Sequence, residues 1–524
     1  MLEDRPLRFV FRGEVVTVHD VPPTLTVLDW LREHRRHTGT KEGCGEGDCG
    51  ACTVAVAELS DACDGLPRPP AGTSDAPLRV RAVNACIRFL SSLDGCALFT
   101  VEDLRAPDGS LHPVQQALVD HHGSQCGFCT PGFAMSLWAL YQERAMHDAT
   151  PAGFRAISRG EARTALSGNL CRCTGYRPIL DAAEALHTHP TRTIDAPALA
   201  AQLRSLAAAR KGRGARIASS AGTTLRPATL AELLAARRDA PDAQLMAGCT
   251  DVGLWVNKQH RVFGTVIDTT SVAELAIVSR TTDGLSVGAA VRLTDAYAAL
   301  VAAWPQLVDF ADRFASVSVR NSGTLGGNVA NGSPIGDSMP LLIALGARVE
   351  LARMDAGGQI HQRRLPLEDL YLGYRRTALA ADELLTRVLV PGPVEPMPPG
   401  AGTPPHGEWV RAYKVSKRFD QDITAVCVAM RLELRHGVVA AARIGVGGMA
   451  AVPARARETE ATLVGSAWDE AAAGRAARRL RAEFHPIDDM RATAQYRRDV
   501  AAALVRRSWL ESQGVEANLE GATR

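Results

Sequence analysis

The 524-residue sequence predicts a multidomain α+β protein in four successive parts: a small β-grasp sheet, a helical bundle, an α+β unit and a C-terminal α/β unit. Three observations carry this expectation. The chain is longer than one hydrophobic core can organise, and its length suggests three or four domains. Its opening alternates short strand patterns with a single helix, and after about Leu98 the pattern turns helical. From Pro227 onward helices and strands mix, with a proline-rich break at residues 391–405 before a last segment ending near Glu511.

The apolar runs at residues 7–11 and 15–18 flank a turn at Arg12, Gly13 and Glu14 and read as a hairpin. A helix follows from about Thr24, with Val27, Leu28 and Leu31 on one face and Thr24 able to cap it. Arg35 and Arg36 fall inside that helix. Residues 53–57 and 78–83 read as strands that close the sheet, and the proline- and glycine-bearing insertion between them, about 60–76, as a surface loop. Helices are expected to begin near Pro113, Pro131 and Pro178, since proline suits a first helical turn. The alanine-rich, basic stretch 187–226 lacks clear strand signals and reads as a linker, its residues 211–216 as a solvated basic run. The expected boundaries are 5–97, 98–187, a linker 188–226, 227–400 and 406–515.

Fifty-nine basic against 57 acidic residues leave a formal charge of +2, too near balance to imply a nucleic-acid or anionic-membrane partner. The 46% apolar fraction is ordinary for a globular protein, and no apolar run is long enough to span a bilayer. The opening residues lack a signal-peptide pattern, so a cytoplasmic location is expected.

Two cysteine constellations stand out. Cys44-Gly-Glu-Gly-Asp-Cys49-Gly-Ala-Cys52 has the C-x4-C-x2-C spacing of a plant-type [2Fe–2S] site, which takes its fourth cysteine from further along the chain. Cys126-Gly-Phe-Cys129 and Cys171-Arg-Cys173 form two close pairs that folding could bring together around a second cluster. Together they use eight of the twelve cysteines. Reduced thiols in tight groupings point to metal rather than disulfides. Zinc is the competing metal, but its structural sites favour two C-x2–4-C pairs, which the first motif fits poorly. Glycines 43, 45, 47 and 50 suit a loop whose N–H groups approach sulfur. Cys86 is preferred as the fourth ligand over Cys63 and Cys96, because it follows a strand pattern in an Asn-Ala-Cys context. Cys63, Cys96 and Cys427 read as loop or core cysteines.

Two glycine-rich turns follow apolar segments, one at residues 245–253 and one at 322–337. They can present backbone N–H groups to a phosphate, with Thr250, Thr324, Asn328 and Ser333 as further donors. Neither is a dinucleotide fingerprint or a Walker loop, so they suggest a phosphate-bearing cofactor without naming it. The alternative is that these glycines only make turns.

Taken in order, residues 44–52, Asn84-Ala-Cys86, Gln125-Cys-Gly-Phe-Cys-Thr-Pro-Gly132, Asn169-Leu-Cys-Arg-Cys-Thr-Gly-Tyr176 and Thr324-Leu-Gly-Gly-Asn328 with Ser333-Pro-Ile-Gly-Asp337 resemble the iron–sulfur and flavin portions of the xanthine dehydrogenase / molybdenum hydroxylase family. The resemblance runs over residues 5–515. It implies a plant-type ferredoxin domain, a helical [2Fe–2S] domain, an FAD-binding domain and a CO dehydrogenase flavoprotein-like domain. It implies that Cys126, Cys129, Cys171 and Cys173 hold the cluster nearest a molybdenum centre, and that Cys44, Cys49, Cys52 and Cys86 hold the one relaying to FAD. Leu245, Met246, Ala247, Gly248, Cys249, Thr250, Asp251 and Val252 match the first FAD pyrophosphate segment, with Cys249 where relatives commonly carry Asn or Gly. Thr324, Gly327, Asn328, Asn331 and Asp337 match the second, and Phe314, Leu385 and Lys414 match flavin-lining positions. The loop 414–422 resembles the segment where NAD reaches the flavin.

The family's molybdopterin domain is larger than anything after Glu511. The resemblance therefore implies the small subunit of a split bacterial xanthine dehydrogenase, with a molybdopterin-binding large subunit in an α2β2 heterotetramer. Hydroxylation of hypoxanthine and xanthine to urate would occur on that partner, so no catalytic residue for it is assigned here. Electrons would pass through two [2Fe–2S] clusters to FAD and then NAD. Two rivals are a same-architecture subunit serving an aldehyde or N-heterocycle, and a zinc-binding scaffold in which the flavin motifs are accidental.

Overall fold

In the computed structural model, the described residues are 2–60, 77–147, 149–150, 153–210, 212–394, 396–397, 406–419 and 421–515. The expected surface insertion, apart from Ser60, lies outside them, as do Cys63, Lys211 and Asp420.

The first sheet has the order Glu14–Val18, Leu7–Phe11, Ala97–Phe99, Thr53–Leu59, Leu78–Asn84. The central pair Leu7–Phe11 and Ala97–Phe99 is parallel and its neighbours antiparallel, the mixed arrangement of a β-grasp sheet. Phe9 and Phe11 are buried and meet Trp30 edge-on at 5.2 and 5.3 Å between ring centres. Burial of side chains this size contributes on the order of 2–3 kcal/mol each. The helix beneath them begins at Val27, not Thr24. Thr26 is extended and its hydroxyl accepts from the Asp29 N–H at 3.0 Å, so it is the cap. After Asp29 the helix widens into a π-turn over Trp30–His34, and Arg36 has φ 60°, outside it.

The bundle consists of Pro113–Asp120, Thr130–His147, Arg159–Leu166 and Arg177–Ala185. The stretch expected to be a linker is structured. Asp195 caps a helix Ala196–Ala209, whose Leu199, Leu203 and Leu206 are buried in the bundle core. Ala215–Ser219 and Gly222–Arg226 form a hairpin whose outer strand pairs in parallel with Glu3–Asp4. Alanine gives little periodic contrast, and these short strands gain their place from partners distant in the chain, which is why local pattern missed them.

The hairpin opens a five-stranded sheet, Glu3–Asp4, Ala215–Ser219, Gly222–Arg226, Thr265–Asp268, Gln244–Met246. A second five-stranded antiparallel sheet follows, ordered Val278–Thr281, Gly284–Gly288, Leu384–Pro391, Arg348–Met354, Ile360–Pro366. The last segment has strands Gly407–Val415, Val426–Arg435, Val438–Gly447 and Ala454–Arg455, then helices Arg457–Leu463, Glu470–Glu483 and Ala494–Ser512. The α/β reading of this segment holds as to content; with strands first and helices after, its sheet is antiparallel. Among the described residues, no helix is long and apolar enough to cross a membrane.

Candidate functional site

The loop after the first helix wraps around sulfur. The Cys44 Sγ accepts from the backbone N–H groups of Glu46 (3.4 Å), Asp48 (3.3 Å) and Cys49 (3.3 Å), and the Cys49 Sγ accepts from the Cys44 N–H at 3.3 Å. Cys86 follows the strand Leu78–Asn84, and its Sγ lies 3.2 Å from that of Cys52. The Cys44 sulfur also interacts with those of Cys49 and Cys86, so all four side chains converge. Contact with Cys49 first, and with Cys86 second, holds Cys44 far below the usual thiol range, while the same contact pushes Cys49 up. Cys96 is elsewhere: burial pushes its thiol up to about 12, and its Sγ faces Glu58 at 3.7 Å.

The second tetrad lies between bundle helices. Cys129 interacts with Cys171 and Cys126 with Cys173, so the two sequence pairs interlock. Burial, then the Cys171 contact, pushes Cys129 up to about 12. The Tyr176 hydroxyl accepts from the Cys171 N–H at 3.0 Å, and the Thr174 hydroxyl meets the Cys171 Sγ at 3.3 Å. Cys126 and Cys173 are exposed. No three His, Cys, Asp or Glu among the described residues form a site for a single metal ion. Four thiols apiece fit a binuclear cluster, in which each iron takes two thiolates, and the first tetrad adds backbone donors to sulfur and two buried ligands, Cys52 and Cys86.

The tetrads are joined directly. The Leu170 N–H, one residue before Cys171, donates to the Cys49 carbonyl at 3.0 Å. Asn169 Nδ2 donates to the Gly50 carbonyl at 3.1 Å, and its Oδ1 accepts from Ser136 at 2.6 Å. Gly50 has φ 69°, and a Cβ there would stand 2.2 Å from the Gly168 carbonyl oxygen. Only glycine permits so close an approach.

The two glycine-rich turns also meet. Met246 ends the strand Gln244–Met246, and Ala247 to Asp251 turn into the helix Val252–Gln259. A Cβ on Gly248 would stand 1.9 Å from the Ser322 carbonyl oxygen, and one on Gly327 3.6 Å from the Ala247 side chain. Thr324 caps Leu325–Asn331 by accepting from the Gly327 N–H at 3.0 Å. The Cys249 backbone has φ 62°, which explains why Asn or Gly suits that position. Its thiol is buried and raised to about 12 by burial, leaving the turn to act through its backbone. Asn328 Oδ1 is buried without a hydrogen-bond partner beside this seam, while Asn331 is exposed at the helix end. Two glycine turns packed so closely that a Cβ on Gly248 would collide with the Ser322 carbonyl form a backbone cradle that fits a pyrophosphate-bearing cofactor, toward which the Asn328 Nδ2, not its Oδ1, could donate.

The remaining positions that the resemblance matches to a flavin lie on several elements of this part of the chain. Lys414 Nζ donates to Asp337 Oδ2 at 2.8 Å, with both side chains buried, and the Thr424 hydroxyl donates to Oδ1. Phe314 stacks on Tyr297 at 4.9 Å, and Leu385 is buried in the strand Leu384–Pro391. Arg313 donates to the Lys414 carbonyl at 2.8 Å and lies 4.7 Å over the Phe419 ring. Gln421, in the same loop, donates to the Asp48 carbonyl of the first cysteine loop.

Sequence reasoning assigned no role to Asn169 or Tyr176, although both flank the Cys171–Cys173 pair. It also passed over Asn257 and Lys258, which have no local signal beyond following the first glycine turn. Asn257 Nδ2 donates to the Gly45 and Cys86 carbonyls at 2.9 and 2.7 Å, and Lys258 donates to the Cys44 carbonyl.

Four family models match in succession: the 2Fe-2S iron-sulfur cluster binding domain over residues 10–89, the [2Fe-2S] binding domain over 100–184, the FAD binding domain in molybdopterin dehydrogenase over 219–393, and the CO dehydrogenase flavoprotein C-terminal domain over 411–512. Xanthine dehydrogenase of Drosophila pseudoobscura pseudoobscura is 32% identical over 560 residues, covering 96% of this chain and 39% of that protein. Xanthine dehydrogenase 2 of Arabidopsis thaliana is 30% identical over 514 residues, covering 85% and 35%. The chain thus spans about two fifths of the length of such relatives. Among solved structures, a reconstituted CO dehydrogenase from Oligotropha carboxidovorans is 26% identical, covering 55% of this chain and 96% of that one, with a TM-score of 0.49. Quinoline 2-oxidoreductase from Pseudomonas putida 86 is 28% identical, covering 55% and 95%, with a TM-score of 0.47.

Proposed function

This chain belongs to the molybdenum hydroxylase family as its iron–sulfur and FAD part, and on that premise we propose that it is the electron-transfer subunit of a xanthine dehydrogenase. The observation that carries the reading is continuity. The second tetrad is tied to the first through Leu170 and Cys49, and the first is tied to the flavin turn through the helix Val252–Gln259. Bound there, two clusters would supply one-electron steps, and FAD the conversion to the two-electron chemistry of NAD.

The chain's own residues would do the holding. Cys126, Cys129, Cys171 and Cys173 would bind the cluster facing the partner; Cys44, Cys49, Cys52 and Cys86 would bind the inner one. Residues 245–252 with Thr324, Gly327, Asn328 and Asn331 would bind the FAD phosphates. Phe314, Leu385, Lys414 and Asp337 would line the flavin, and the loop 414–422 would face NAD. Two features favour a molybdopterin-binding partner at the second tetrad: exposed thiols at Cys126 and Cys173, and Phe128 between the ligands at 50% exposure. Cytoplasmic placement suits ligands that must stay reduced. The second reading is a subunit of the same architecture for another molybdenum hydroxylase, acting on an aldehyde or N-heterocycle. It calls for the same iron–sulfur and flavin domains in the same order, and none of the matched domain descriptions names a purine substrate.

The test is to purify the chain, measure iron, acid-labile sulfide and flavin, and then pair it with a molybdopterin subunit. The expected result is two clusters and one FAD per chain, NADH-dependent dye reduction by the chain alone, and xanthine turnover only with the partner. Zinc without flavin, or xanthine turnover by the isolated chain, would overturn the assignment. Turnover of aldehydes or N-heterocycles but not purines would select the second reading.

A further inference from the structure

The last turn of the helix Val252–Gln259 ends against the carbonyl oxygens of the first cysteine loop. Asn257 spans the Gly45 and Cys86 carbonyls, while Lys258 Nζ donates to the Cys44 carbonyl. Cys44 and Cys86 come from opposite ends of the ligand set, so two adjacent side chains hold both ends to one helix. The cysteine loop itself carries Glu42, Glu46 and Asp48 beside Lys41 at its start. Arg418 acts on Asp48 from the C-terminal loop. Lys258, exposed at the surface, is thus a cation held by a hydrogen bond to the carbonyl of a ligand cysteine, in surroundings of mixed charge.

A [2Fe–2S] cluster gains one negative charge on reduction, and a neighbouring cation stabilises the more negative state. We propose that Lys258 is a positioning residue that raises the reduction potential of the cluster on Cys44, Cys49, Cys52 and Cys86, with Asn257 fixing the helix that carries it. The step it acts on is a one-electron transfer from the neighbouring cluster; no bond forms or breaks, and the electron leaves toward the flavin. The inference rests on the iron–sulfur and flavin reading given above. It adds that the element following the flavin turn also sets the energy of the adjacent cluster.

The test uses the full chain carrying both clusters and FAD. Redox titrations followed by electron paramagnetic resonance are run on the wild type, K258M, K258Q and K258R. K258Q removes the charge and keeps an N–H donor on a side chain one atom shorter, and K258M removes both. In K258M and K258Q, one cluster should show about a tenfold fall in its ratio of reduced to oxidised form at fixed potential, equivalent to about 59 mV for one electron. The other cluster and the flavin should be unmoved, and K258R should match the wild type. Unchanged potentials in K258Q, or an equal loss in K258R, would overturn the proposal while leaving the cofactor assignment intact. A wild-type chain without iron and sulfide would overturn both.

Discussion

Replacing Lys414 by methionine keeps the stem of the side chain and removes the ammonium from a pair closed to water on both sides. Side-chain exposure is 4% for Lys414 and 5% for Asp337, and the ions are 2.8 Å apart. At that separation their attraction is about 6 kcal/mol for an effective dielectric constant near 20, most of it offset by dehydrating two ions. The variant loses the attraction and keeps the dehydration of Asp337. The carboxylate retains the Thr424 hydroxyl on Oδ1 and must otherwise stay buried unpaired or take up a proton. Breaking a buried pair costs about 3–5 kcal/mol, and the remaining hydrogen bond puts the expected loss at about 3 kcal/mol. Urea unfolding of the full chain measures it, with flavin content read alongside. The double variant K414M/D337N should recover most of the loss, because no buried charge is left uncompensated. A K414M midpoint within about 1 kcal/mol of the wild type, or a double variant weaker than the single one, would refute the reasoning.

Three further outcomes are expected. C86S should lose the iron and sulfide of one cluster and keep FAD, whereas C96S should keep the full complement, as metal analysis of both variants would show. G50A forces a side chain into φ 69° and against the Gly168 carbonyl, so it should lose about 2–4 kcal/mol of thermal stability and loosen both tetrads, visible as bleaching of the iron–sulfur spectrum. The third concerns acid stability at the seam between the first sheet and the flavin unit. Burial alone would raise the Glu58 carboxyl, but Arg292, with Arg88 and Arg81, outweighs it and brings it from 4.5 down to about 2. A carboxyl with a depressed folded pKa contributes stability that is present above pH 4.5 and lost as pH falls toward 2. The contribution is roughly 3 kcal/mol, and E58Q should flatten the acid limb of a stability-versus-pH curve over that window.

Cluster chemistry is legible in the cysteine spacing, and the flavin in the resemblance of the glycine turns. Ligand spacing at residues 44–52 is local, because a loop that folds around sulfur needs its glycines and cysteines at fixed intervals. Strands such as Thr53–Leu59 and helices such as Pro113–Asp120 were likewise legible from pattern and proline position. The approach of Cys86, already preferred from its Asn-Ala-Cys context, to 3.2 Å from Cys52 belongs to the tertiary structure, since it depends on strand pairing across a 34-residue separation. The tertiary structure also decided that residues 196–226 are part of two cores: alanine-rich helices and five-residue strands carry little periodic signal until their partners arrive. Asn257 and Lys258 were silent for the same reason. Their targets are backbone carbonyls more than 170 residues earlier in the chain, and a carbonyl carries no side-chain signature by which a sequence could announce it.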